Sequence, residues 1–196
     1  NLETGALLST KTGGNCALDP SNARYTCTGY YTRKFSHYKS GRSGNLDGYF
    51  KEFRLAELYL NYAEAVFHVL GSPDAKNTTY AMSATEAVNK IRQRSDVGMP
   101  VFPVGLNNAN FDKRYRNERM VELAFEGHRF WDIRRWKMGN VLKTVTLMKI
   151  TKDSGTGSLV YTRVIKNRQW DDKMYFFPIP ASEMRKNPNL SQNPGW

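Results

Sequence analysis

The chain has 196 residues, of which 40% are hydrophobic and 13% aromatic, enough to build a sizeable core and too apolar for a disordered segment. No apolar run approaches the roughly 18–20 residues that a transmembrane helix needs. The formal charge of +11 raises the question of nucleic acid, but the cations are dispersed, with no basic block, zinc-finger spacing or helix-turn-helix signal, so no nucleic-acid partner is expected.

Residues 1–27 read as loop, because STKTGGN and LDPSN are turn chemistry. The first residues, NLETGALLSTKTGG, offer neither a charged start followed by an apolar block nor an acylatable cysteine. Cys16 and Cys27 are the only cysteines. They could close a small disulfide loop contributing roughly 2–3 kcal/mol by the chain-entropy argument, or stand as two isolated thiols, and both states stay open. With His37, His68 and His128 far apart, no metal site is expected. Residues 30–35 have strand propensity, and SHYKSGRSGNLDG is loop again.

Periodicity predicts a long helix over 50–70, with Leu55, Leu58, Tyr59, Tyr62, Ala63, Val66, Val69 and Leu70 on its apolar stripe. Glu57, Asn61, Glu64 and His68 fall on the opposite, solvated side, and the run from Gly71 to Asp74 ends the helix. A second helix runs from about Ser83 to Arg94, opened by a Ser83/Glu86 capping box and burying Ala84, Ala87, Val88 and Ile91. Residues 95–110 are a proline-broken linker.

The stretch Glu118–Trp136, ERMVELAFEGHRFWDIRRW, is the expected folding hub. Met120, Val121, Leu123, Ala124 and Phe125 make an apolar helix face, and Glu118, Glu122 and Glu126 lie opposite within reach of Arg114 and Arg119. Gly127 supplies a stop, and a second helix follows with Phe130, Trp131, Ile133 and Trp136 as core anchors. Glu126, His128 and Asp132 would form an acid–base cluster if they converged, but a solvated face with a packing histidine is the simpler reading. Beyond KMGN, TVTLMKITKDSGTGSLVYTRVIKN reads as a β-hairpin turning at Asp153–Gly157. Tyr175–Pro180 is extended, Ala181–Arg185 makes one helical turn, and the aromatics of the Asn/Pro-rich tail suggest that it laces back over the helices.

Four of these stretches, in this order, resemble the SusD/RagB family: TGYYTRKF (28–35), FRLAELYLNYAEA (53–65), ERMVELAFEGHRFWDIRRW (118–136) and YFFPIPASEMRKNPNLSQNPGW (175–196). The resemblance implies a mainly α fold of tetratricopeptide-like helical hairpins with a small β-hairpin and long ordered loops. It implies glycan capture at the cell surface for a SusC-like TonB-dependent transporter, by an outer-membrane lipoprotein attached only through an N-terminal lipid absent from this chain. Family members are usually longer, so the 196 residues are expected to be one domain from the C-terminal part of a longer protein. Its sections are a loop-rich lead-in at 1–49, a helical core at 50–136, and the hairpin with the lacing segment at 137–196.

No nucleophile elbow, P-loop, dinucleotide fingerprint or metal motif appears, so neither an enzyme nor a cofactor is expected. A binding reading does better, because sugars stack C–H faces on aromatic rings and need polar partners for their hydroxyls. The candidates are the loop aromatics Tyr25, Tyr38, Tyr49 and Trp170, with Asn45, Asp47, Asp171 and Asp172 as polar neighbours. The competing readings are a peptide or other non-sugar nutrient, and a helical-repeat scaffold for another protein.

Overall fold

The computed structural model describes residues 7–17, 26, 30–32, 34–35 and 51–196. In chain order the elements are α1 (Leu55–Leu70), α2 (Ala84–Arg92), α3 (Asn108–Glu122), α4 (His128–Arg135), the antiparallel pair β1 (Thr144–Lys152) and β2 (Leu159–Asn167), and α5 (Ala181–Lys186). One-turn 3-10 helices lie at Gly139–Leu142 and Asp172–Tyr175. The architecture is mainly helical with one small hairpin, as expected. Contacts gather the chain into two compact units, Phe50–Asp132 and Asn1–Tyr49 with Ile133–Trp196.

In the first unit α1 and α2 pack together, and local chemistry sets their ends. Gly71, at φ 70°, takes the left-handed turn that closes α1. Ser83 accepts from the Glu86 backbone N–H while the Glu86 carboxylate accepts from the Ser83 N–H, completing the expected capping box. The core holds Leu60, Ala63, Val66, Phe67, Ala84, Ala87, Val88, Ile91, Phe111 and Tyr115, with the Phe67, Phe102 and Tyr115 rings each packed on Phe111.

Four expectations are corrected by the structure. The buried stripe of α1 is Ala56, Leu60, Ala63, Val66 and Phe67, so Ala63 and Val66 fall where expected, whereas Leu55, Leu58 and Val69 are exposed. Apolar residues occupy both sides of this helix, so periodicity alone does not choose between them. The third helix begins at Asn108, inside the expected linker, because the Asn107 side chain caps it by accepting from Asn110 N–H. It ends at Glu122, so Gly127, at φ 82°, does not stop it but turns the chain into α4. In the hub, only Leu123 and Ile133 of the expected anchors are buried; Met120, Val121, Phe125, Phe130 and Trp131 are exposed.

In the second unit, nine residue pairs join β1 to β2, from Thr144↔Asn167 to Lys152↔Leu159. Asp153 builds the turn by accepting from the N–H groups of Gly155 and Thr156 and from the Thr156 hydroxyl. Thr12 docks its N–H and hydroxyl on Ile150 O, at 2.7 and 2.9 Å. The described residues of 30–35 lie in no strand, and residues 28, 29 and 33 lie outside the description. The tail does fold back, but onto the segment just before it. Trp196 Nε1 donates to Lys173 O, Asn193 Nδ2 to Phe177 O, and the Gln192 amide pairs with both backbone groups of Ile179.

Candidate functional site

The acidic positions of α1 and the hub are half-buried or buried, and engaged, and the exposed Asn61 among them is engaged too. Arg54, Glu57, Asn61 and Glu64 recur at three- and four-residue steps along one face. Arg54 grips Glu126 at 2.7 Å and Glu122 at 2.5 Å, and donates to Glu122 O. Burial disfavours its charge, but the bonds to Glu126 and Glu122 outweigh that and hold the guanidinium above its ordinary pKa. His128 Nε2 lies 3.4 Å from Glu57 Oε2. Arg119 donates to Asn61 Oδ1 and to Asp132 Oδ2, each at 2.8 Å, and both ends of the Arg119–Asp132 pair are buried. The Tyr115 hydroxyl sits 2.9 Å from Leu60 O and from Glu64 Oε2.

This arrangement decides between the two readings of Glu126, His128 and Asp132. Glu126 is held by Arg54, Asp132 by Arg119, and His128 faces Glu57. A carboxylate already committed to a guanidinium is a poor general base, so the cluster serves to join helices. His68 is exposed, as expected, and lies against the Phe67 ring.

Two of the candidate ligand residues meet at a cleft in the second unit. It encloses about 620 Å³ at the base of the hairpin, where Arg168 N–H donates to Lys143 O at 2.7 Å. Trp170 and Asp171 line it, together with Lys143, Asn167, Arg168 and Lys173. Asp171 also caps the following 3-10 turn by accepting from Lys173 N–H. Asp172 is exposed and is not among the lining residues.

Trp170 is not the open platform that a loop aromatic would provide. Its ring is half-buried, edge-on to Tyr175 at 5.1 Å and beneath the Arg134 guanidinium at 5.5 Å. The backbone of Gly139 presses on the indole so closely that a Cβ there would sit 2.0 Å from Nε1. The Tyr175 hydroxyl accepts from Gly139 N–H, fixing the contact from the other side. The indole N–H is buried with no acceptor among the described residues. The cleft can therefore offer a ring edge and a set of charged and amide groups. Sequence reasoning named Asp171 beside Trp170 but missed Lys143, Asn167, Arg168 and Lys173; Lys143 is brought to this end of the hairpin by the pairing of Thr144 with Asn167.

Tyr25, Tyr38, Tyr49, Asn45 and Asp47 lie outside the described residues. Of the two states open for the cysteines, Cys16 carries a free, half-buried thiol, and Cys27 lies outside the described residues. Among the described residues no helix is long and apolar enough to cross a membrane, and no group of three metal-ligating acids, histidines or cysteines occurs.

Comparison with known proteins gives a consistent picture. The family model described as the SusD family matches residues 9–196. The chain is 29% identical to the SusD-like protein P2 of Formosa agariphila over 149 residues, covering 73% of this chain and 25% of that protein. It is also 29% identical to the starch-binding protein SusD of Bacteroides thetaiotaomicron over 144 residues, covering 74% and 21%. The crystal structure of a SusD-like protein from Bacteroides fragilis superposes with a TM-score of 0.69 at 31% identity, covering 91% of this chain and 33% of that one. The chain thus spans a fifth to a quarter of the length of these curated relatives.

Proposed function

The chain belongs to the SusD family, and from that premise we propose that it captures an oligosaccharide, unchanged, at the outer face of the outer membrane. In this reading an N-terminal lipid anchors the protein and a SusC-like TonB-dependent transporter receives the ligand. The observation that carries the reading is the family match along nearly the whole chain. Its support in the structure is the cleft at Trp170, where amide, carboxylate and cationic side chains surround an aromatic edge. Such convergent polar groups about an apolar wall suit a hydroxyl-rich ligand. The groove between α1 and α2, lined by Leu55, Tyr59 and Ile91 with Lys90 and Arg94, holds about 250 Å³, too little on its own to seat a partner helix.

Titration with a panel of polysaccharides by calorimetry tests the proposal. Saturable heat with at least one glycan, weakened at least tenfold in Asp171→Ala and Arg168→Ala, supports it. Silence across the panel, with saturable binding of peptides instead, overturns it.

A further inference from the structure

A second cleft, in the first unit, carries a different chemistry. It encloses about 590 Å³ along one side of α3. That helix has seven charged side chains, and five of them are ion-paired: Asp112 with Arg116, Glu118 with Arg92, Arg119 with Asp132, and Glu122 with Arg54 and Arg94. The remaining two, Lys113 and Arg114, have no acidic partner among the described residues, and both line the cleft. Chance solvation of a helix face does not predict this selectivity.

The reason lies in where Glu118 goes. It stands four residues after Arg114, the spacing at which the two would pair on an ordinary helix. Here Arg92 takes it instead. Arg92 is fixed a second time by its Nε donating to Pro100 O at 2.6 Å, and a third by lying over the Phe102 ring at 5.0 Å. Three independent contacts hold that guanidinium on the cleft wall, and Arg114 is left without its local carboxylate. The cleft carries Arg92, Lys113 and Arg114 against Glu118 alone, a formal excess of two positive charges.

Asn110 and Asn117 also line the cleft and bracket the two cations. They are seven residues apart, so about 10 Å separates them along the helix axis at 1.5 Å per residue. That length suits two sugar rings, with hydroxyls for the amides at either end and an anionic group between. We propose that this cleft is a binding subsite for an acidic oligosaccharide, whose carboxylate or sulfate group rests on Lys113 and Arg114. The oxyanion part stands on the charge pattern alone, and the sugar part rests on the reading of the family given above.

The test is calorimetric titration of the protein and of its Lys113→Gln/Arg114→Gln variant. The probes are trigalacturonate, a sulfated galactan oligosaccharide, maltotriose, citrate and a random single-stranded oligonucleotide. Both substituted positions are exposed, so the variant should fold, and an unchanged melting curve verifies that. The expected result is saturable binding of trigalacturonate, the sulfated galactan or both, weakened about tenfold or more in the variant. Whichever of the two binds identifies the anion as carboxylate or sulfate. Acidic-sugar binding that the variant leaves unchanged, or no such binding, overturns the subsite. Equally tight binding of citrate overturns the assignment to a sugar, and tighter binding of the oligonucleotide overturns it in favour of a polyphosphate. Maltotriose binding that persists in the variant bears only on the Trp170 cleft, so the two readings fail separately.

Discussion

Gly139 and Trp170 form a contact that leaves no room for a single added carbon. A Cβ at Gly139 would lie 2.0 Å from the indole, so Gly139→Ala must displace the ring from beneath Arg134 and from Tyr175. Overpacking of this kind costs about 1–3 kcal/mol, read as a lowered Tm. Trp170→Phe removes the offending part of the ring, so the double variant should lose less than the two single losses added together. Additive losses would mean that the ring relaxes elsewhere. The buried Arg119–Asp132 pair makes a second prediction. Asp132→Asn leaves a guanidinium buried opposite a neutral amide and should cost about 3–5 kcal/mol, whereas Arg119→Met/Asp132→Leu should cost much less. A loss below about 1 kcal/mol from Asp132→Asn would remove Asp132 from the framework. Neither pairing could be read from the sequence. Gly139 and Trp170 are thirty-one residues apart and carry no periodic signal, and thirteen residues separate Arg119 from the acid it chooses.

Elements whose ends are written in local chemistry were legible, and those decided by distant partners were not. Ser83 and Glu86 announce α2 within four residues, and the turn residues from Asp153 to Gly157 announce the hairpin. By contrast, the exposed and buried sides of α1 differ little in apolar content. Its polar positions are occupied because Arg54, Glu57, Asn61 and Glu64 find the hub. The capping box gives the element-scale prediction. Ser83→Ala should cost about 1 kcal/mol. The Glu86 carboxyl is held below its ordinary pKa, first by the hydrogen bond from Lys76 and then by that from the Ser83 backbone. A lowered folded-state pKa adds stability that is present above the unfolded value and is lost as pH falls through the folded one. Glu86→Gln should therefore flatten that acid loss in a pH series of melting curves. An unchanged acid limb would sink the assignment. Asp153 obeys the same sign, held low first by the Thr156 backbone N–H and then by the Thr156 hydroxyl, so the hairpin turn should also loosen only on the acid side.

At the scale of the molecule, 29 cations against 18 anions act on an approaching ligand before any one side chain touches it. Such a field governs the rate of encounter, whereas groups fixed in a cleft govern how long the ligand stays. The two contributions separate experimentally if the cleft along α3 takes an acidic sugar. Replacing Lys113 and Arg114 by Gln lowers the formal charge from +11 to +9, so most of the field survives. The association rate of trigalacturonate, followed by stopped-flow mixing, should then fall by less than about threefold, while its dissociation rate rises about tenfold. Raising the ionic strength should do the reverse, slowing association steeply in both proteins, because the screening length shrinks to about 8 Å at physiological salt. A variant that loses its affinity through association instead would show that Lys113 and Arg114 act as two cations among many. Loss through dissociation would show that freeing Arg114 from Glu118 creates a site, and that the pairing of Arg92 with Glu118 is part of how the chain recognises its ligand.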